Sequence, residues 1–223
     1  MSKIPVSGPF RARFTLLAAV MAAGGVACAA SPAHAGLEIE LQSGGTTYVQ
    51  SGTNPLVVNQ SIGNFTTTVN TGTTASGPAL DLSSVDVSSS GGGTLVITLS
   101  ENDLTAPIGL QTWLSQFSGN FSGGAATVTL QTYLDDDNTL LGTTTPLSTF
   151  SASSSPFSLS ADATASTSAP FAITDVLTIV APGAMLVSLD ATVAAAVPEP
   201  ASLALLGTAL LSLTALAYRR RKV

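Results

Sequence analysis

From residue 37 the chain alternates. Leu37, Ile39 and Leu41 are apolar, and Glu38 and Glu40 between them are acidic. That period of two is the mark of a strand with one buried face. Alternation or a compact apolar run recurs over residues 46–50, 56–62, 65–71, 80–87, 94–100, 126–134, 139–144, 157–161, 172–180 and 185–193. Turn formers separate the runs: Ser43-Gly44-Gly45, Gly63-Asn64, Gly72, Ser76-Gly77-Pro78, Gly91-Gly92-Gly93 and Pro182-Gly183. Strand signals about ten residues apart predict an all-β fold, an antiparallel β-sandwich of two sheets. One stretch departs from the pattern. Over residues 105–119, Leu110, Trp113, Leu114 and Phe117 fall at helical spacing, with Pro107 placed to start a helix and Gly119 to stop it. This predicts one short helix of about 11 residues. Trp113, the single tryptophan, is expected in the core.

The two ends read differently. Lys3, Arg11 and Arg13 precede a short apolar run over 14–26, and Ala33-His34-Ala35 follows. A basic start, an apolar centre and a small-x-small site form a secretory signal peptide, with its own helix, cut after Ala35 to leave Gly36 first. The Sec translocon and signal peptidase are the partners this implies. At the other end, residues 201–218 carry no charge. As a helix they would measure about 27 Å, enough to span a bilayer. Arg219, Arg220, Arg221 and Lys222 follow at once and hold that end on the cytoplasmic side. The expected organisation is a signal peptide over 1–35, a β-sandwich domain over 36–196 and a C-terminal segment over 197–223.

Charge then narrows the chemistry. Charged residues make up 9% of the chain, and all seven basic ones lie in the two terminal segments. Residues 36–196 hold twelve acids and no Lys, Arg, His or Cys, a net charge of −12. Nucleic-acid binding needs cations to displace phosphate counterions, so no nucleic-acid partner is expected. A Cys or His zinc site is excluded, as are Ser-His-Asp catalysis, Schiff-base lysine and arginine clamps on phosphate. Ser and Thr supply the solubility that Lys and Glu usually provide.

Val197-Pro198-Glu199-Pro200 stands directly before the apolar span and its basic end. This order resembles the PEP-CTERM sorting signal. The resemblance implies recognition by exosortase, cutting near the motif, and release or attachment at the surface of a Gram-negative bacterium that makes extracellular polysaccharide. The physics agrees, because two prolines keep the motif extended and accessible to a protease. Parts of the domain, over residues 80–87, 93–100, 133–143 and 170–179, also resemble segments of exported PEP-CTERM proteins of unknown activity. The expected route is an inner-membrane precursor, then the cell surface or extracellular matrix.

Only carboxylates, hydroxyls and tyrosines remain for chemistry within 36–196. A glycosidase needs two carboxyls about 5–9.5 Å apart. Asp81 with Asp86 is offset by an odd number on one strand, so a regular strand would turn them to opposite faces. Glu101 with Asp103 shares a face only if the strand runs past Ser100. No catalytic residue and no cofactor is expected, apart from calcium at Asp135, Asp136, Asp137 and Asn138, where hard oxygen donors cluster. The bland reading of that run is a turn capped by Asp and Asn side chains. The expected function is a non-catalytic structural or adhesive surface protein within biofilm or exopolysaccharide. The alternatives are a carbohydrate-binding module, which would show exposed aromatics on one sheet face, and a secreted carboxylate-dependent hydrolase.

Overall fold

The computed structural model describes residues 36–72, 79–124 and 126–196. Twelve strands follow in chain order: β1 Leu37–Ser43, β2 Thr46–Gly52, β3 Val57–Ile62, β4 Phe65–Asn70, β5 Ala79–Ser89, β6 Gly93–Leu104, β7 Gly109–Ser122, β8 Thr127–Asp135, β9 Thr145–Ala152, β10 Phe157–Thr167, β11 Phe171–Ala181 and β12 Met185–Ala195. They form two six-stranded sheets. One has the order β2-β1-β6-β11-β8-β9, the other β10-β7-β12-β5-β4-β3. Every ladder is antiparallel. The expected all-β fold of two antiparallel sheets is what the described residues adopt. The signal helix and the C-terminal helix lie outside them. No helix long and apolar enough to cross a membrane occurs among the described residues.

The alternation seen in the sequence becomes the core. Leu37, Ile39 and Leu41 of β1 are buried beside Leu95, Ile97 and Leu99 of β6 and Ile173, Leu177 and Ile179 of β11. From the second sheet, Leu80, Leu82, Val85 and Val87 of β5 meet Val187, Leu189, Ala191 and Val193 of β12. Each such aliphatic side chain contributes about 1.5–3 kcal/mol when taken from water.

The short helix expected over 105–119 is not there. That stretch enters β7, a 14-residue strand bonded to β10 on one side and β12 on the other. Trp113 and Phe117 lie four residues apart, a spacing that suits a helix face and one face of a strand equally. In the strand they point inward with Ser115 between them, and all three are buried. Leu114 turns to the outer face, and Leu110 is 73% exposed. Ladder bonds along both edges outweigh a weak local periodicity. Trp113 is in the core as expected, edge-on to Phe171 with ring centroids 6.1 Å apart. Two smaller differences concern the second half. Residues 139–144 form a loop instead of a strand, and β9 begins just after them.

One irregularity governs the outer face. Val85 pairs with Leu189 and Leu82 with Ala191, so Ser83 and Ser84 together face the single residue Asp190. This bulge advances β5 by one residue and flips its inward phase from even to odd numbers.

Candidate functional site

The outer face of the β10-β7-β12-β5-β4-β3 sheet carries rows of polar side chains. Ladder registers set side chains in rows across the strands. One row runs Asn59, Thr68, Asp86, Ser188, Asn120; the next runs Ser61, Thr66, Ser88, Leu186, Ser122. Together the inner members of these rows line an open groove of about 440 Å³. A second groove of about 260 Å³ is lined by Gln116, Ser118, Ser158, Ser160, Asp190 and Thr192 among others. Thr68 donates to Asn59 Oδ1 at 2.8 Å, and Ser84 donates to Asp86 Oδ2 at 3.1 Å. Every aromatic ring among the described residues is buried or half-buried, so none stands out from this face.

The bulge decides where the carboxylates go. Because it flips the phase of β5, Asp81 and Asp86 share the outer face despite their odd offset. Asp190 joins them from β12. Partial burial raises the Asp81 carboxyl above its ordinary value, and the Asp190 charge raises it further. Burial alone raises Asp190. The sequence singled out Asp81 and missed Asp190, whose partner strand is remote in the chain. The second pair offered from sequence separates. The strand does continue to Leu104, but Asp103 takes a left-handed φ of 59° at a register shift against β11. Glu101 sits in register with Leu37 and Ile173 and is raised by burial.

The Asp135–Asn138 run forms a turn. Asp135 is buried, and its Oδ1 accepts the Asp137 N–H at 2.8 Å. Asp136 Oδ1 accepts the Ser168 N–H at 3.4 Å. Asn138 turns to Asp103: its Oδ1 accepts the Asp103 N–H at 2.7 Å and its Nδ2 donates to Asp103 Oδ1 at 2.8 Å. Both residues of that reciprocal pair have left-handed φ, which Asn and Asp tolerate best among residues with a side chain. Asp135, Asp136 and Asn138 thus each accept a hydrogen bond through Oδ1 from a different partner. Among the described residues no group of three or more His, Cys, Asp or Glu is set to hold a metal ion.

Sequence reading passed over the most unusual carboxylate. Asp175 lies on β11 between Ile173 and Leu177, in the inward phase, fully buried, with Leu99 and Thr132 opposite it. Neither carboxyl oxygen has a hydrogen-bond partner. Burial pushes its carboxyl well above the ordinary range, and the Asp81 charge adds to this. Beside it a hydroxyl chain links the sheets: Ser115 to Thr132 at 3.1 Å and Thr132 to Ser148 at 2.7 Å. The signal was present in sequence as an acid in phase with Ile173, Leu177 and Ile179.

Gly36, the residue expected to lead the mature chain, donates its N–H to Asn102 Oδ1 at 3.1 Å, and a Cβ there would lie 2.6 Å from that oxygen. Ala33, Ala35, Val197, Pro198, Glu199, Pro200, Arg219, Arg220, Arg221 and Lys222 lie outside the described residues.

Comparison with known proteins locates the address. Residues 196–222 match the PEP-CTERM protein-sorting motif. The chain carries this sorting motif at its C-terminal end, and the motif implies an exported product made through a membrane-anchored precursor, with exosortase as the processing enzyme. The match stops at the sorting segment and assigns no activity to the sandwich. No curated protein matches the chain. Among solved structures, the enzymatically active domain of tailspike protein 4 of bacteriophage CBA120 is similar at 9% identity and a TM-score of 0.34. The likeness covers 60% of this chain and 19% of that one, and at that level it carries no argument.

Proposed function

We propose that the exported domain is a non-catalytic structural or adhesive component of the extracellular polymer around the cell. The observation that carries this reading is the outer face of the β10-β7-β12-β5-β4-β3 sheet: rows of hydroxyl, amide and carboxylate groups without an exposed aromatic ring among the described residues. Such a surface exchanges hydrogen bonds with hydrated polysaccharide at modest strength per contact, because each bond replaces one to water. Strong sugar pockets add aromatic stacking, which this face lacks. The test is deletion of the gene in the source bacterium, followed by matrix cohesion under shear and return of the wild-type gene. Weaker cohesion restored by the gene is the expected result. An unchanged matrix, or depolymerisation of that polysaccharide by the purified exported protein, overturns the reading.

A further inference from the structure

Strand β10 is a long edge whose one defence is a single charge. It pairs with β7 through eleven consecutive residues, Phe157 opposite Gly119 to Thr167 opposite Gly109, with no register shift. Among the described residues no other strand pairs with it. A long edge presents a row of unpaired N–H and C=O groups, and proteins blunt such edges with charged side chains, Pro, bulges or short length. The edge strand of the other sheet, β9, carries Pro146 and a register shift. The edges β2 and β3 have seven and six residues. β10 has eleven, with no Lys, no Pro and no bulge. Its single charge is Asp162, the middle residue of the strand.

The sequence around that charge is close to a palindrome. The outward side chains are Ser158, Ser160, Asp162, Thr164 and Ser166, all exposed. We propose that β10 is a self-pairing edge: two copies of the chain pair reversibly through an antiparallel, two-fold symmetric β10–β10 ladder centred on Asp162, and the facing Asp162 carboxylates keep that pairing weak. A two-fold contact brings the same patch of both copies together. About this centre Ser160 meets Thr164 of the second copy, Ser158 meets Ser166, Leu159 meets Ala165 and Ala161 meets Ala163. Small hydroxyls lie against hydroxyls on one face and apolar groups lie together on the other. Only Asp162 meets its own like, and like charges directly opposite are unfavourable. No cation on the neighbouring strand relieves it. Asp162 is in register with Leu114 of β7, flanked on that face by Thr112 and Gln116. The next carboxylate inward on this sheet face is Asp190 on β12, beyond β7. A second copy suits this edge because its own β10 supplies an unbroken strand of matching length with one central charge.

The test uses cysteine pairs in the full chain, expressed in an exosortase-positive host and treated on cells with a mild thiol oxidant. Residues 36–196 have no cysteine, and the unmodified chain controls for Cys28. Residues directly opposite across a ladder are about 5 Å apart at Cα, within disulfide reach. Two copies of residue 160 would be about 13 Å apart, which is beyond it. Asp162→Cys is therefore expected to give a covalent dimer on a non-reducing gel and Ser160→Cys alone to give none. The double variant S160C/T164C is expected to cross-link. Adding Asp162→Asn to that double variant is expected to raise the dimer yield severalfold. Equal cross-linking by D162C and S160C, or none in D162C and S160C/T164C, overturns the paired register. An unchanged yield on adding D162N overturns the role of the charge.

Discussion

Replacing Asp175 by Val is expected to stabilise the domain, and by more as the pH rises. The carboxyl is fully buried and both oxygens lack partners. An unpaired polar group in an apolar site costs about 1–3 kcal/mol. Valine removes that cost, suits a central strand, and adds a little volume, for which about 1 kcal/mol of repacking strain is a fair allowance. At pH 4 the net gain is then about 1 kcal/mol. The sign of the pH dependence follows from the raised carboxyl. Unfolded Asp ionises near pH 3.9, about its ordinary value, whereas in the fold burial keeps the proton on. The unfolded state therefore holds fewer protons above that pH, and wild-type stability falls as pH rises, by about 1.4 kcal/mol per unit until Asp175 ionises in the fold. The half-buried Glu101 and Asp81 and the exposed Asp190 are raised too and push the same way. Comparing wild type with D175V cancels their share. Urea unfolding of residues 36–196 at pH 4, 5.5 and 7 should show a gap between variant and wild type that widens with pH. A gap that does not change with pH, or a variant less stable than wild type at pH 7, would refute the reasoning.

Three further outcomes are expected. Changing Pro198, Glu199 and Pro200 together to Ala should leave membrane insertion intact and abolish C-terminal cutting in an exosortase-positive host; mass spectrometry of both termini reads this, with Gly36 as the expected first residue. Asn138→Ala removes both hydrogen bonds to Asp103 and places Ala at left-handed φ. It should cost roughly 2–3 kcal/mol and lower the melting temperature by roughly 4–10 °C, whereas Asn138→Gly, which tolerates that φ, should cost less. Gly119→Ala would drive a Cβ to 2.6 Å from both the Ser188 carbonyl and Leu189 Cδ2. It should destabilise by at least about 2 kcal/mol in the same urea assay, and a neutral result would mean that β7 and β12 can separate at that point.

Much of the fold was legible because this chain uses few charges. Along Leu37–Leu41 the buried phase is apolar and the other acidic, and Leu95, Ile97 and Leu99 repeat that buried phase in β6, so burial follows parity there. Legibility failed where parity was broken from outside. In β7 the inward phase holds Ser115 between two aromatics, and Leu110 and Leu114 lie outside it, so the local pattern suggested a helix. Its two neighbours, β10 and β12, are remote in sequence and supply the bonds that make it a strand. The outer-face carboxylates failed for a related reason. Whether Asp81 and Asp86 share a face depends on a bulge opposite Asp190, and nothing in Leu82-Ser83-Ser84-Val85 announces that two residues will face one. Asp175 was legible in phase but not in consequence, because only the packed core shows that no donor reaches it.

The position of β12 also sets an order of events. It lies in the middle of its sheet, with β10 and β7 on one side and β5, β4 and β3 on the other. Before β12 arrives these are two separate fragments, each with an apolar face and an open edge. β12 is the last strand among the described residues, and Pro198 follows Ala195 by three positions. A chain threading outward from its N-terminus cannot close this half of the sandwich until the sorting motif is itself about to reach the membrane. Completion of the fold and presentation of the cutting site thus fall at nearly the same moment. The β10-β7 and β5-β4-β3 halves of that sheet stay separate until β12 joins them.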